Sequence, residues 1–308
     1  MRAAARVISR RAALLHPFQP RTLVGERYRI RGELTKGAVG VIFVAADTKR
    51  QGEVVALKSL RTKHLHKPNI LARFGRESLV LRSIEHANIL SYKDHGFDTR
   101  LSAPFLVTEF IAGHPGKELI DRDPPLALRQ IAIVLRQVCV AVWHLHKRGI
   151  IHRDLKWSNV MTTDKSRDRF PIKLIDFGIL KYAGPAEVLD RRKLTDLGTV
   201  IGTPEYSSPE QLSGAEIDER ADVYSLGVMT YEILTGRRPF VADSPIDFVL
   251  KHLKEVPMPP QEVVGKRQVS AEMSDVVMRA LEKAPAKRYQ TVVELWTALE
   301  AAFDASPG

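Results

Sequence analysis

The stretch His152-Arg153-Asp154-Leu155-Lys156-Trp157-Ser158-Asn159 decides the reading of this chain. It sets one carboxylate, one ammonium and one amide within six residues, 154 to 159. Gly149-Ile150-Ile151 precedes it and Val160-Met161 follows, so the polar groups sit on a short loop pinned between apolar segments. Functional side chains are commonly held on such loops. Seventeen residues after Asn159, the run Lys173-Leu174-Ile175 ends in Asp176, followed by Phe177-Gly178. Two carboxylates and an amide, held close by two adjacent hairpins, form a hard-oxygen set. Magnesium takes such ligands and completes its shell with phosphates and waters. The pattern fits two magnesium ions on a nucleoside triphosphate.

Length and composition bound the rest. The chain has 308 residues, 44% hydrophobic and 27% charged, which suits one two-lobed domain or two small ones. No uninterrupted apolar run has the length of a membrane span, and no transmembrane segment is expected. Cys139 is the single cysteine, so a disulfide within the chain and a cysteine-based metal site are both excluded. It reads as a small buried apolar residue in a reducing compartment. Net charge is +11, yet no Lys/Arg block interleaves with aromatics, so no nucleic-acid partner is expected. Arg2, Arg6, Arg10, Arg11 and Arg21 lie in the first 24 residues, where there is no acid. This composition fits a disordered leader, a transit peptide or a membrane-surface helix. The first is the expectation for residues 1–26, with a cytoplasmic location. An organelle is the alternative if residues 1–24 act as a transit peptide.

From residue 28 the pattern turns to strands, over 28–34, 41–45 and 54–58, with Gly37-Ala38-Val39-Gly40 as a turn. Helical spacing covers 70–84 through Leu71, Phe74, Ser78 and Leu81. Two further strands follow, over 90–97 and 105–110. Gly113-His114-Pro115-Gly116 breaks the chain and marks the boundary between lobes. Beyond it, helices are expected over 128–147, 221–234, 245–254, 271–282 and 291–303. The second is nearly all apolar and therefore central. The fold class is α+β: a small antiparallel β-rich lobe with one main helix over 27–113, and a larger helical lobe over 114–303. Residues 304–308 are a short tail. The polar motifs fall at the junction of lobes, where ligand clefts usually form.

With these motifs in this order, the chain resembles the eukaryotic-like (Hanks-type) serine/threonine protein kinases, in their bacterial branch, over residues 27–303. The resemblance rests on His152-Arg153-Asp154-Leu155 with Asn159, on Asp176-Phe177-Gly178, on Val55-Ala56-Leu57-Lys58 and on the glycine turn. Arg27-Tyr28-Arg29-Ile30 and Ser208-Pro209-Glu210-Gln211-Leu212 point to the bacterial branch. The resemblance implies a bilobal protein kinase fold using ATP and magnesium. Asp154 would be the catalytic base and Lys156 would stabilise the transferring phosphoryl group. Asn159 and Asp176 would hold the metals. Lys58, oriented by Glu77 nineteen residues on, would grip the phosphates. Gly37 and Gly40 would cradle phosphate, although Thr35 stands where the family has its first glycine, which stiffens the loop. Leu34, Ile42, Ala56 and Met161 would sandwich the adenine. Backbone groups of Glu109 and Ile111 would bond it, with Thr108 as gatekeeper.

The resemblance implies more at the large lobe. Residues 176–210 would form an activation segment, with Thr195 and Thr199 as phosphorylation candidates paired to Arg153. Thr203, in the Gly202–Tyr206 docking loop, would bond Asp154 and Lys156. Asp222 would anchor the catalytic-loop backbone, and Arg288 would partner Glu210. Tyr92, Leu81, His152 and Phe177 would stack as a spine. Trp157 is expected beside the substrate cleft. The implied function is transfer of the ATP γ-phosphoryl group to Ser/Thr hydroxyls of protein substrates, including the chain's own activation loop, with a homodimer for trans-autophosphorylation. The alternative is a nucleotide-binding, pseudokinase-like scaffold, whose mark would be loss of Lys58, Asp154, Asn159 or Asp176. All four are present.

Overall fold

Alternation along the strands builds the first unit, which comprises Met1–Glu85 and Leu90–Ile111. The computed structural model describes residues 16–163, 170–176, 204–263 and 268–306. Six antiparallel strands form one sheet: β1 (Leu23–Val24), β2 (Tyr28–Lys36), β3 (Gly40–Asp47), β4 (Glu53–Leu60), β5 (Tyr92–Asp98) and β6 (Ala103–Glu109). Their order is β1-β2-β3-β4-β6-β5. On β3, Val41, Phe43 and Ala45 are buried while Ile42, Val44 and Ala46 are half-buried, the period of two that a strand imposes. Gly40 is needed at its position, because a Cβ there would lie 3.0 Å from the Ser59 carbonyl oxygen of β4. Helix α1 (Pro68–Arg82) starts with proline in its first turn, where the missing N–H costs nothing. It buries Phe74, Glu77, Ser78 and Leu81 on one face.

The second unit comprises His86–Ile89 and Ala112–Gly308. A small sheet of order β7-β8-β9 uses β7 (His114–Pro115), β8 (Val160–Thr162) and β9 (Ile172–Leu174). The helices are α2 (Lys117–Ile120), α3 (Leu128–His146), α4 (Pro209–Ser213), α5 (Arg220–Thr235), α6 (Pro245–Lys254), α7 (Ala271–Ala280) and α8 (Val292–Ala305). Every residue of α5 from Ala221 to Thr235 is buried, as its nearly all-apolar pattern requires. Helices α3, α7 and α8 pack on it. Gly227 lets α7 approach, since a Cβ there would meet that of Ala280 at 2.9 Å. Helix α3 is long and apolar enough, by length and composition, to cross a membrane. Its apolar face, including Ile131, Leu135, Val138, Val142 and Leu145, is buried inside this unit. Cys139 lies on that face, and burial pushes its thiol up to about 12.

Arg288 is fully buried and forms a bidentate pair with Glu210, Nη1 to Oε1 at 2.7 Å and Nη2 to Oε2 at 2.8 Å. Its remaining N–H groups donate to the carbonyls of Arg220, Glu282 and Lys283. A buried cation needs this full satisfaction. The fork ties α4 to the start of α5 and to the turn before α8.

Two sequence expectations need correction. Residues 16–26 are not a disordered tail: Phe18 and Val24 are buried, and β1 pairs with β2 through Leu23–Arg29 and Val24–Tyr28. Apolar side chains at 18 and 24 find sheet surface to cover, and the basic composition of the leader masked that. The boundary between units also differs. It falls after Ile111, and residues 86–89 belong to the second unit. Asn88 explains this. Its Nδ2 donates to Gln137 Oε1 and to the Ile172 carbonyl, each at 3.0 Å.

His252 on α6 is completely buried and shares a 2.9 Å hydrogen bond with the Tyr224 hydroxyl through Nδ1. Burial, reinforced by the Lys283 and Arg238 charges, pushes its pKa down from 6.5 to about 3. The unfolded chain therefore takes up a proton that the folded chain refuses. Stability should be intact above about pH 6.5 and fall towards pH 3 at about 1.4 kcal/mol per pH unit from this group. Denaturant midpoints at pH 7 and pH 5 should show the loss. His252→Asn, which keeps an acceptor for Tyr224, should remove this component of the slope.

Candidate active site

In the second unit the site is built on the chain after α3. The helix ends at His146, and residues 150–156 run as a loop into a single 3-10 turn, Trp157–Asn159. The loop is fixed by Asp222, which is fully buried in the first turn of α5. Its Oδ2 accepts from the His152 backbone N–H at 2.8 Å and its Oδ1 from that of Arg153 at 2.9 Å. The Oδ2 also lies 2.8 Å from His146 Nε2. Burial alone would push this carboxyl up. The His146 hydrogen bond, the His146 and His152 charges and the His152 N–H outweigh it and hold Asp222 below the ordinary carboxylate range. Gln211 of α4 donates to the Arg153 carbonyl at 2.9 Å. Arg153 itself has φ +65°, a backbone conformation that a non-glycine residue keeps only when its surroundings impose it.

This anchoring presents the three polar groups together. Lys156 Nζ lies 3.1 Å from Asp154 Oδ2. Asn159 Nδ2 donates to the Asp154 carbonyl at 2.8 Å and to Asp154 Oδ2 at 2.9 Å. The Asn159 amide thus turns its nitrogen to Asp154. Ile175 N–H donates to the Asn159 carbonyl at 2.8 Å, which fixes the strand leading to Asp176 against the loop. Asp176 has φ +57°, a second left-handed residue at the site. Met161 lies on β8, half-buried and in register with Lys173 of β9 and Pro115 of β7.

The first unit holds the remaining predicted residues. Lys58, on β4, donates to Glu77 Oε1 of α1 at 2.6 Å. Their side chains are only 17% and 4% exposed, so the pair is far better shielded than a surface ion pair. Ile42, Ala56 and Lys58 are half-buried members of the sheet face opposite Phe43 and Leu57. Ala56 is paired in register with buried Thr108. Glu109 N–H donates to the Ser91 carbonyl, and Ile111 is the last residue of the unit. Leu34 is 52% exposed on β2. In the glycine turn, Gly37 N–H donates to the Gly40 carbonyl at 2.9 Å. A Cβ at Gly37 would meet only that carbonyl oxygen, at 3.7 Å, so nothing in the unit crowds this backbone. Phe177, Gly178, Thr195, Thr199, Gly202 and Thr203 lie outside the described residues.

A family model described as a protein kinase domain matches residues 28–298. The chain belongs to the protein kinase family. Three relatives agree: a probable serine/threonine-protein kinase of Streptomyces coelicolor, pkn3 of Myxococcus xanthus and PknB of Mycobacterium leprae. They are 36%, 36% and 34% identical over 94%, 86% and 88% of this chain. The chain spans less than half the length of each, 42%, 48% and 42%. The PknI kinase domain of Mycobacterium tuberculosis superposes with a TM-score of 0.69 at 24% identity, covering 92% of this chain and 98% of that one. The kinase fold, with an antiparallel β-rich small lobe and a helical large lobe, is therefore shown.

Within this kinase domain, several sequence expectations hold in geometry. Asp222 does bond the backbone of the loop at His152 and Arg153, Arg288 does partner Glu210, and Lys58 does meet Glu77. Trp157 is a correction. It is fully buried, and its Nε1–H donates to the Met229 carbonyl in the middle of α5 at 3.0 Å. The indole is a core anchor of the loop, because an aromatic ring with one donor suits a buried position that offers a carbonyl. His146 and Gln211 were not foreseen. His146 lies eight residues before Asp154 and Gln211 lies 58 residues after Arg153, so spacing gives no signal for either.

Asp222→Ala removes the acceptor of three hydrogen bonds at once. Charge-assisted bonds of this kind are worth roughly 1.5–3 kcal/mol each, and their partners would be left buried. The variant should lose about 3 kcal/mol or more in equilibrium denaturation. A loss under 1 kcal/mol would mean that the loop is held by other contacts.

Proposed function

We propose that this domain is a serine/threonine protein kinase that transfers the ATP γ-phosphoryl group to Ser/Thr hydroxyls of proteins, including its own activation segment. The observation that carries the reading is the Asp154–Lys156–Asn159 cluster. A carboxylate is oriented by an amide and neighboured by an ammonium, on a loop whose backbone is bound to a buried helix. Asp154 would accept the proton of the attacking hydroxyl. Lys156 would compensate charge on the transferring group. Its place two residues after the base, and relatives named as serine/threonine kinases, support Ser/Thr over Tyr as acceptor. The reaction needs positioning and charge compensation more than covalent participation, because phosphoryl transfer passes through a loose transition state.

The donor set fits magnesium. With Asn159 Nδ2 committed to Asp154, the side-chain oxygen of Asn159 is the atom left for a cation, and Asp176 adds a carboxylate. Both are hard oxygen donors. Magnesium would neutralise phosphate charge there. In the small lobe, Lys58 oriented by Glu77 would grip the phosphates, and the uncrowded Gly37 backbone would approach them. Leu34, Ile42, Ala56, Met161 and the backbone of Glu109 and Ile111 are assigned to the adenine. Thr35, in place of a glycine, is the one departure that favours the scaffold reading.

The test is phosphorylation with ATP and magnesium, of the protein itself and of a Ser/Thr peptide pool, beside Asp154→Ala. Wild type should place phosphate on Ser/Thr, and the variant should be slower by about a hundredfold or more. Nucleotide-dependent thermal stabilisation with no phosphate on either substrate would overturn the enzyme reading in favour of the scaffold.

A further inference from the structure

The residues just before the family match carry contacts that the kinase reading does not use. His16 is 8% exposed and Phe18 is 1% exposed. Phe18 N–H donates to His16 Nδ1 at 3.0 Å, which places the imidazole proton on Nε2. That Nε2 therefore donates to the Leu60 carbonyl, 2.8 Å away and 44 residues on. Both ring nitrogens are committed, and burial pushes His16 down, in keeping with a neutral ring. The imidazole packs 4.9 Å from the Phe18 ring and 5.0 Å from the Phe43 ring of β3. At its other end the segment is held by Arg21 N–H to the Ile30 carbonyl and Ile30 N–H to the Thr22 carbonyl. It is tied down at both ends across the sheet.

Leu60 is a consequential carbonyl to hold. It ends β4 two residues after Lys58 and pairs with Gly40. The next residue, Arg61, donates its N–H to the Val39 carbonyl at 2.8 Å. Leu60 and Arg61 thus clamp the glycine turn from one side, and His16 braces that clamp from the other.

We propose that residues 16–24 are a strap that positions the glycine turn for the nucleotide, with His16 as the positioning residue. The proposal rests on the kinase reading above for its kinetic consequence but not for its structural one. Touching neither substrate nor metal, His16 acts through Leu60 and Arg61. Losing the brace should loosen the turn while leaving Asp154, Lys156 and Asn159 as they are.

The experiment uses the full chain, with His16→Ala and His16→Gln, whose amide N–H reaches towards the same carbonyl. KM for ATP, kcat, nucleotide Kd by calorimetry and hydrogen exchange of the Arg61 amide are measured. His16→Ala should raise KM and Kd for ATP about two- to tenfold, the worth of one hydrogen bond, with kcat within about twofold. Its Arg61 amide should exchange faster, and His16→Gln should recover most of both effects. An Arg61 amide unchanged in His16→Ala overturns the strap, as does a fall in melting temperature with KM and Kd unmoved. Failure of His16→Gln to recover either effect also overturns it. If wild type transfers no phosphoryl group, the kinase reading fails alone, and the Arg61 exchange still decides the strap.

Discussion

A single buried carboxylate fixes the polar loop of the large lobe. Asp222 leaves solvent entirely, which would be prohibitive for a lone charge. It is stable there because two backbone N–H groups and one imidazole converge on it. The same bonds that satisfy the carboxylate decide the path of the catalytic loop. Arg153 is thereby kept at positive φ, and Asp154 is placed next to Lys156 and Asn159. The helix that holds Asp222 is buried from Ala221 to Thr235, so the anchor belongs to the core and not to the surface. Trp157 adds a second attachment to that helix two turns further on, at Met229. The loop is a rigid projection of the core.

The small lobe solves a different problem. The Lys58–Glu77 pair is shielded but not isolated, and its value lies in direction rather than in stability. Glu77 sits on the inward face of α1 with Phe74, Ser78 and Leu81, so helix packing and ammonium orientation are one event. The glycine turn is held by the connection that follows β4, through the Val39 carbonyl, and that connection leads into α1. Lysine and helix therefore share a short stretch of covalent chain, residues 58–77, and Arg61 within it bonds the turn.

Much of this was legible in sequence, for a physical reason. Period-two strands and the nearly all-apolar helix at 221–234 follow directly from burial, and the motifs keep fixed spacing because each sits on a rigid element. The Glu210–Arg288 fork was legible only through family resemblance, since nothing local marks residues 78 apart as partners. What sequence could not show are contacts made by residues of ordinary type. His146, Gln211 and His16 act through tertiary hydrogen bonds with no periodic signature. Trp157 was misplaced because an aromatic next to a catalytic motif reads equally as core or cleft. The basic leader masked Phe18 and Val24, whose burial depends on a sheet formed by later residues.

The central claim is that the catalytic loop is fastened to the core by backbone hydrogen bonds to Asp222. The most direct measurement is native-state hydrogen exchange of the His152 and Arg153 amides in the wild-type protein. If Asp222 holds both, they should exchange only through global unfolding, as slowly as the amides in the middle of α5, although they belong to a loop. Exchange at the rate of an exposed loop, faster than α5 by orders of magnitude, would contradict the account.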